Sequence, residues 1–157
     1  MIIFDIEASG LHPESYPIEI AWQDSDAPES YDEFFIKPAS GWTHWDDYAE
    51  TEIHHISRKT INESGISISE ACTRLNTVLE GKTIYSDAID FDRRWMMRLF
   101  NEAGLEPFFN FGSVLDLLPS TSDRIHFETL QNTPVKHRAL DDARQIAKCM
   151  NLLLGFQ

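Results

Sequence analysis

Residues 1–10 read MIIFDIEASG, and this stretch determines how the rest of the chain is interpreted. Its apolar residues are mostly β-branched or aromatic, which is typical of a buried strand. Asp5 and Glu7 lie two residues apart, so both side chains face the same side of the sheet. Two unpaired carboxylates buried there would cost on the order of several kcal/mol, which divalent cations would remove. A strand that emerges into solvent at Asp5 would avoid the same cost, and the strand alone leaves both interpretations open.

The segments after this strand predict an α/β fold with a mixed sheet flanked by helices. Residues 17–23 and 31–37 nearly alternate between apolar and polar, and short turns separate them, which predicts three antiparallel strands with residues 1–7. Later segments alternate between strands at 82–86 and 113–118 and helices at 69–80, 90–103, 126–131 and 139–154. This order, in which consecutive strands are followed by strands that alternate with helices, predicts a mixed sheet whose C-terminal strands are parallel. Residues 1–157 are expected to form a single domain.

Composition narrows the class of protein. A hydrophobic content of 42% supports a real core, and no apolar stretch predicts a membrane span. The N-terminus has no basic region of the kind that starts a signal peptide. Cys72 and Cys149 lack metal or redox spacing, so a reducing, cytoplasmic setting is expected. A net charge of −13 argues against coating long duplex nucleic acid, but not against an enzyme that grips a strand end.

A third carboxylate, Asp92, is distinguished by its helical face. The predicted helix at 90–103 has one apolar stripe, formed by Trp95, Met96, Leu99, Phe100 and Ala103. At about 100° per residue, Asp92 lies near the centre of that stripe and Asp90 lies on the opposite face. Acids also favour the first turn of a helix through capping and the helix dipole. That preference explains the position along the helix but not the face.

The last helix places a fourth carboxylate in a similar way. Its apolar stripe consists of Ala143, Ile146, Ala147, Met150, Leu153 and Leu154. Asp142 lies at the edge of this stripe, whereas Asp141 points away from it. His137 precedes Asp142 by five residues on a loop that enters the helix, which suits a mobile base, although a lone histidine is more often structural. Four inward carboxylates and a histidine predict a site for two ions, with Mg²⁺ or Mn²⁺ favoured over Zn²⁺. Two divalent metal ions held close together promote displacement at a phosphoryl group, because they stabilise both the attacking and the leaving oxygen.

Three motifs together resemble the DEDDh 3′→5′ exonuclease superfamily. They are residues 4–11 (FDIEASGL), residues 88–92 (AIDFD) and residues 137–143 (HRALDDA). Residues 52–57 (EIHHIS) resemble a family segment near the site that usually reads Ile-His-Gly-Ile. His55 stands where glycine is usual and is expected to narrow the nucleotide pocket. Each motif alone is weak, but their order and spacing agree with the family across nearly the whole chain.

The resemblance implies a ribonuclease-H-like fold and removal of nucleoside monophosphates from single-stranded 3′ ends of RNA or DNA. It implies four ligands for two Mg²⁺ or Mn²⁺ ions: Asp5, Glu7, Asp92 and Asp142. His137 is implied as the general base that activates the attacking water. The terminal nucleotide is expected to contact Ser9, Gly10, Leu11 and His54.

The second motif departs from the family pattern. The family usually has a polar pair such as His-Asn before Phe-Asp, and here residues 85–88 read YSDA. Asp87 and Asp90 therefore compete with Asp92 as the ligand. The Phe-Asp match and the helical face both favour Asp92.

Two other functions remain open at this stage. The chain resembles a proofreading or trimming module that acts with a polymerase, although no docking tail is evident. A hypothesis of a different class is a non-catalytic nucleic-acid-binding relic of the fold, which the five filled catalytic positions argue against. The partners expected are single-stranded 3′ ends and no membrane, and the sequence does not decide between a monomer and a homodimer.

Overall fold

A computed structural model describes residues 1–131 and 137–155 and has one five-stranded sheet. The strands are β1 (Ile2–Ala8), β2 (Pro17–Asp24), β3 (Tyr31–Phe35), β4 (Thr83–Ser86) and β5 (Asn110–Ser113). Their order across the sheet is β3-β2-β1-β4-β5. β1 and β2 pair antiparallel, as do β2 and β3, whereas β4 runs parallel to β1 and β5 parallel to β4. The predicted mixed sheet is therefore confirmed.

Helices cover both faces of this sheet. They are α1 (Arg58–Ser64), α2 (Ile68–Leu79), α3 (Ile89–Ala103), α4 (Thr121–Gln131) and α5 (Ala139–Leu154). A π-helical turn spans Ala49–His54 and a 3₁₀ turn spans Val114–Leu117. The first three helices pack in the same core cluster as Ile2, Phe4 and Ile6 of β1, and the last two pack in the cluster of Ile3. Within the described ranges, no helix is long and apolar enough to cross a membrane.

The helix boundaries follow local sequence signals. Ser67 caps α2 because its hydroxyl accepts a hydrogen bond from the Glu70 amide at 3.2 Å. α3 ends at Gly104, whose φ of 66° is a left-handed conformation that favours glycine. The predicted helices at 69–80, 90–103 and 139–154 are confirmed to within a residue of their ends.

Three details differ from the sequence predictions. The strand predicted at 113–118 is wrong, since the strand ends at Ser113, whose hydroxyl accepts from the Leu115 amide and starts the 3₁₀ turn. An apolar run alone cannot distinguish a buried strand from a buried turn. α4 begins five residues earlier than predicted, because Ser120 caps it by accepting from the Asp123 amide. The π-helical turn and α1 were not predicted, because segments of six and seven residues are too short to show a clear helical period of apolar residues.

The alternation of β1 places its two acids under a helix. Ile2, Phe4 and Ile6 point to one face, and Ile3 points to the other. Asp5 and Glu7 share the face of Ile3, which α5 covers. The acids of the first strand therefore meet the N-terminal end of α5 rather than open solvent.

Candidate active site

Carboxylates from three elements converge at the end of β1. Asp5 and Glu7 come from β1, Asp92 from the first turn of α3 and Asp142 from the first turn of α5. Asp92 is only 1% exposed, and the other three are half-buried. Burial raises the pKa of Asp5 well above its usual range, and the charges of Asp92, Glu7 and Asp142 raise it further. The structure thus brings together the four residues predicted as metal ligands.

Burial also raises the pKa of the other three carboxyl groups. It raises the pKa of Glu7 to about 8, with added repulsion from Asp142. It raises the pKa of Asp92 to about 8, against a lowering effect of a hydrogen bond from Ser86. It raises the pKa of Asp142 to about 6, although nearby His137 lowers it. These carboxyls do not all ionise together near neutral pH unless positive charge is supplied.

The donor set fits a hard divalent cation. In the part of the chain that the structure describes, the buried Oδ1 atom of Asp142 has no hydrogen-bond partner, so no hydrogen bond offsets the cost of removing it from water. In residues 1–131 and 137–155, one atom each of Glu7, His137 and Asp142 lie within 4.8 Å of one another and could hold an ion. Carboxylate oxygens are the ligands that Mg²⁺ and Mn²⁺ prefer. Glu7, Asp142 and His137 could therefore hold such a cation, and Asp5 and Asp92 are not members of this group.

Ser86 orients Asp92 and was not singled out as a functional residue from sequence. β4 ends at Ser86, whose hydroxyl donates a short hydrogen bond to Oδ2 of Asp92 and accepts one from the Ala88 amide at 2.9 Å. Ser86 therefore holds Asp92 in its inward orientation. Asp90 is exposed, as its helical face predicts. The sequence signal for Ser86 lies in residues 85–88 (YSDA), where a polar serine stands shortly before the Phe-Asp pair.

Asp87 lies at the edge of the same site. A cavity of about 210 Å³ is lined by Asp5, Asp87 and Asp142 together with His137. The side chain of Asp87 is exposed and accepts a hydrogen bond from Gln131 at 3.3 Å. Asp87, the alternative ligand, is therefore close to the site but is hydrogen-bonded to Gln131 of α4. Asp92, in contrast, is buried among the other carboxylates.

His137 stands at the solvent side of the cluster. It is exposed and has a φ of 46°, a left-handed conformation that is uncommon outside glycine. Arg138 and then α5 follow directly, so the histidine is carried at the entrance of the helix that bears Asp142. An exposed ring next to buried carboxylates is open to water, which a general base requires.

A second cavity adjoins Glu7 and contains most of the residues expected to contact the nucleotide. Gly10, Leu11 and His54 line this cavity of about 240 Å³. Leu11 is 69% exposed and lies at its edge. Ser9 does not line it, because its buried hydroxyl accepts from the Tyr16 amide and bonds to His44. Ser9 therefore shapes the loop in this structure, and its contact with the terminal nucleotide stays a prediction.

Gly10 is required by the close packing of this loop. Its φ is 138°, and a Cβ added there would lie 2.8 Å from the Cβ of Asp46. The Asp46 amide donates to the Ser9 carbonyl at 2.9 Å, which holds the two segments together. A larger residue at Gly10 would push the two walls of the cavity apart.

His54 supplies a buried donor to the same cavity. Its Nδ1 accepts a hydrogen bond from the Ile56 amide at 3.0 Å, so the neutral ring carries its proton on Nε2. Burial lowers the pKa of His54, which favours this neutral form. Nε2 is buried and has no hydrogen-bond partner among the described residues.

His55 does not line this cavity, so the expected narrowing of the nucleotide pocket stays a prediction. Its side chain is exposed and lies outside the cavity wall. The backbone has a φ of 56°, a left-handed conformation that ends the π-helical turn. Glycine suits such a position for conformational reasons, so histidine here changes the turn.

The raised pKa values predict an unusual dependence of stability on pH. In the unfolded chain these carboxyls lose protons near pH 4, whereas in the metal-free fold Glu7 and Asp92 hold theirs to about 8. Between these limits the unfolded state binds fewer protons, so the free energy of unfolding falls as pH rises. We expect the melting temperature of chelator-treated protein to fall from pH 5 to pH 8, and Mn²⁺ to restore it at pH 8. A melting temperature that rises over this range without metal would contradict the prediction.

Comparison with known proteins identifies the fold. No protein-family model and no curated sequence matches the chain. The zinc-bound exonuclease I–single-stranded DNA complex from E. coli superimposes over 99% of this chain with a TM-score of 0.77 and 17% identity. E. coli exonuclease I with a dT13 oligonucleotide covers 96% of the chain with a TM-score of 0.73 and 16% identity. Exonuclease I from Methylocaldum szegediense covers 98% with a TM-score of 0.70 and 17% identity.

The chain matches only part of these larger proteins. It covers 40% of each of the two E. coli chains and 42% of the Methylocaldum szegediense chain. Sequence identity below a fifth supports a shared fold and no more. The protein therefore has the ribonuclease-H-like fold that occupies the matching two fifths of exonuclease I.

Proposed function

We propose that the protein is a metal-dependent exonuclease that removes nucleoside monophosphates from single-stranded 3′ ends. The observation that carries this proposal is the cluster of four carboxylates, which form no ion pair with a lysine or arginine among the described residues and of which Glu7 lines a cavity of about 240 Å³. We assign two Mg²⁺ or Mn²⁺ ions to Asp5, Glu7, Asp92 and Asp142. A reducing, cytoplasmic setting fits the buried free thiols of Cys72 and Cys149.

The residues have distinct roles in this proposal. The ions, when bound, would activate water and offset the charge that develops on the phosphate. His137 accepts the proton of the attacking water, for which its exposed ring is suitably placed. Leu11 packs against the terminal nucleotide at the edge of the cavity, and His54 donates to it from the wall. Ser86 holds Asp92 in its inward orientation.

A local group of arginines supports binding of one strand by this acidic protein. Arg94 and Arg98 flank Trp95, which lines the cavity that adjoins Glu7. Arg94 lies over the exposed ring of Phe91, 5.1 Å from its centroid. Neither arginine forms an ion pair within the described part of the chain. Guanidinium groups that have no carboxylate partner and lie beside aromatic rings suit the phosphates and bases of a single strand.

A labelled-strand assay tests the proposed function. A 5′-labelled single strand of DNA or RNA should be shortened stepwise from its 3′ end in Mn²⁺, with mononucleotide products. Blunt duplex should be digested far more slowly, because the net charge of −13 gives little attraction for a duplex. Excess chelator should abolish the activity.

Three outcomes would contradict the proposal. Full activity in chelator would exclude the role given to the carboxylates, and internal cleavage would exclude an exonuclease. Strand binding without any product in Mn²⁺ would instead favour a non-catalytic binding module.

A further inference from the structure

An ion pair between buried Glu19 and partly exposed Arg138 joins the sheet to the entrance of α5. Glu19 on β2 is only 2% exposed. The Nε atom of Arg138 donates to Oε1 and Oε2 of Glu19 at 3.1 Å each, and its Nη2 atom donates to Oε1 at 2.5 Å. Such a two-pronged contact fixes the orientation of both side chains as well as their separation.

The same carboxylate also caps α5. The Ala139 amide donates to Oε2 of Glu19 at 3.0 Å, and Ala139 is the first residue of the helix. Arg138 occupies the cap position but provides no side-chain cap of its own. A strand residue more than a hundred positions earlier in the chain therefore supplies the acceptor, and its negative charge suits the positive end of the helix dipole.

Glu19 lies beside the carboxylate cluster. It pairs directly with Glu7 across β1 and β2, so both side chains point to the face that α5 covers. The pair therefore ties the segment between His137 and Asp142 to the strand next to Glu7.

Small residues let the helix entrance approach the sheet at this level. Ala21, which lies opposite Asp5 in the register, packs with Ala139 and Leu140 in one buried cluster. Apolar packing alone would allow the helix entrance to rotate or slide. The directional bonds of Glu19 remove that freedom.

Stability alone is a poor reason for such a pair. Removing the Glu19 carboxylate from water is costly, and solvent at the partly exposed Arg138 weakens the attraction that offsets this cost. The pair does provide a fixed geometry. Arg138 also neutralises a carboxylate that would otherwise add its charge to a cluster already rich in acids.

We propose that Glu19 and Arg138 are positioning residues that set His137 and Asp142 at their working distances from Glu7. This role rests on the proposed exonuclease function. Neither residue is assigned to touch substrate, and both act through the backbone of residues 137–142.

Arg138→Gln tests the positioning role by removing the charge and the two-pronged contact. Arg138→Lys removes the two-pronged contact but keeps the charge. Arg74→Gln is a matched control, because Arg74 makes a similar two-pronged contact with Asp32 at 2.6 and 2.5 Å, between α2 and the edge strand β3. Three properties are measured for each variant: kcat and KM on a single strand, affinity for Mn²⁺, and amide hydrogen exchange of residues 138–142 against the rest of the protein.

Arg138→Gln should lower kcat and Mn²⁺ affinity by about 10–100-fold, the range seen when partners that orient metal ligands are removed. KM should change little, because the wall formed by Gly10, Leu11 and His54 is not altered. Exchange should increase locally at residues 138–142. Arg138→Lys should have kcat and Mn²⁺ affinity between those of the wild type and Arg138→Gln, since lysine keeps the positive charge but cannot make the two-pronged contact of a guanidinium group. Arg74→Gln should match the wild type in kcat and metal affinity.

The inference is overturned if Arg138→Gln retains wild-type kcat, metal affinity and local exchange. It is also overturned if exchange rises across the whole protein and Arg74→Gln loses kcat to the same degree, since the pair would then only stabilise the fold. Absence of hydrolysis by the wild type would refute the proposed function instead. The Mn²⁺ affinity and the exchange of residues 138–142 would still decide whether the pair positions the site.

Discussion

Asp92→Asn is expected to reduce 3′-end hydrolysis about 10³-fold or more. Loss of one carboxylate ligand removes several kcal/mol of charge stabilisation, and each ~1.4 kcal/mol is a factor of ten in rate. Asparagine keeps the shape of the side chain and an oxygen that can accept the hydrogen bond from Ser86. The variant should therefore fold, which makes loss of activity interpretable.

Stability gives Asp92→Asn a second readout. Because burial raises the pKa of Asp92 to about 8, a neutral amide should suit this position in the metal-free protein. We expect the melting temperature of the chelator-treated variant at pH 8 to equal or exceed that of the wild type. Mn²⁺ should stabilise the variant less than the wild type, because a ligand is missing.

Asp90→Asn is the matched control for this prediction. Asp90 lies two residues earlier in the same helical turn but is exposed. Its replacement should leave turnover and Mn²⁺ affinity close to those of the wild type. An inactive Asp90 variant beside an active Asp92 variant would show that the second motif had been assigned to the wrong carboxylate.

His137→Ala should lower turnover by about 10²–10⁴-fold if the histidine is the general base. Its exposed position next to Glu7 and Asp142 allows it to reach a water molecule without being part of the buried cluster. Mn²⁺ affinity should be largely retained, since the four carboxylates remain. Added imidazole should restore part of the rate, because the site left by the side chain is open to solvent.

Two results would contradict this role. Normal turnover by His137→Ala would make the histidine structural. Loss of Mn²⁺ binding together with turnover would make it a metal ligand, an arrangement that the 4.8 Å grouping with Glu7 and Asp142 brings within reach. Either result would require a different base.

Local periodicity was sufficient to predict much of the site. The two-residue period of β1 placed Asp5 and Glu7 on one face, and the structure has them there. The helical period of α3 separated buried Asp92 from exposed Asp90. Both inferences need only the geometry of a single element, which the sequence of that element determines.

Features that depend on distant pairing could not be predicted. Glu19 alternates like any strand residue, and nothing near it shows that Arg138 will pair with it. Ser86 gains its role only when β4 and α3 bring its hydroxyl to Asp92. The hydrogen bond of the Ser9 hydroxyl likewise depends on His44, which lies in a separate segment.

The most direct test of the two-metal carboxylate site is anomalous diffraction from crystals soaked in Mn²⁺. We expect two peaks about 3.5–4 Å apart, the spacing of paired catalytic ions, held by Asp5, Glu7, Asp92 and Asp142. The ring of His137 should lie outside the ligand shell. Absence of Mn²⁺ from this cluster, or a single ion coordinated by His137 with Glu7 and Asp142, would contradict the two-metal site.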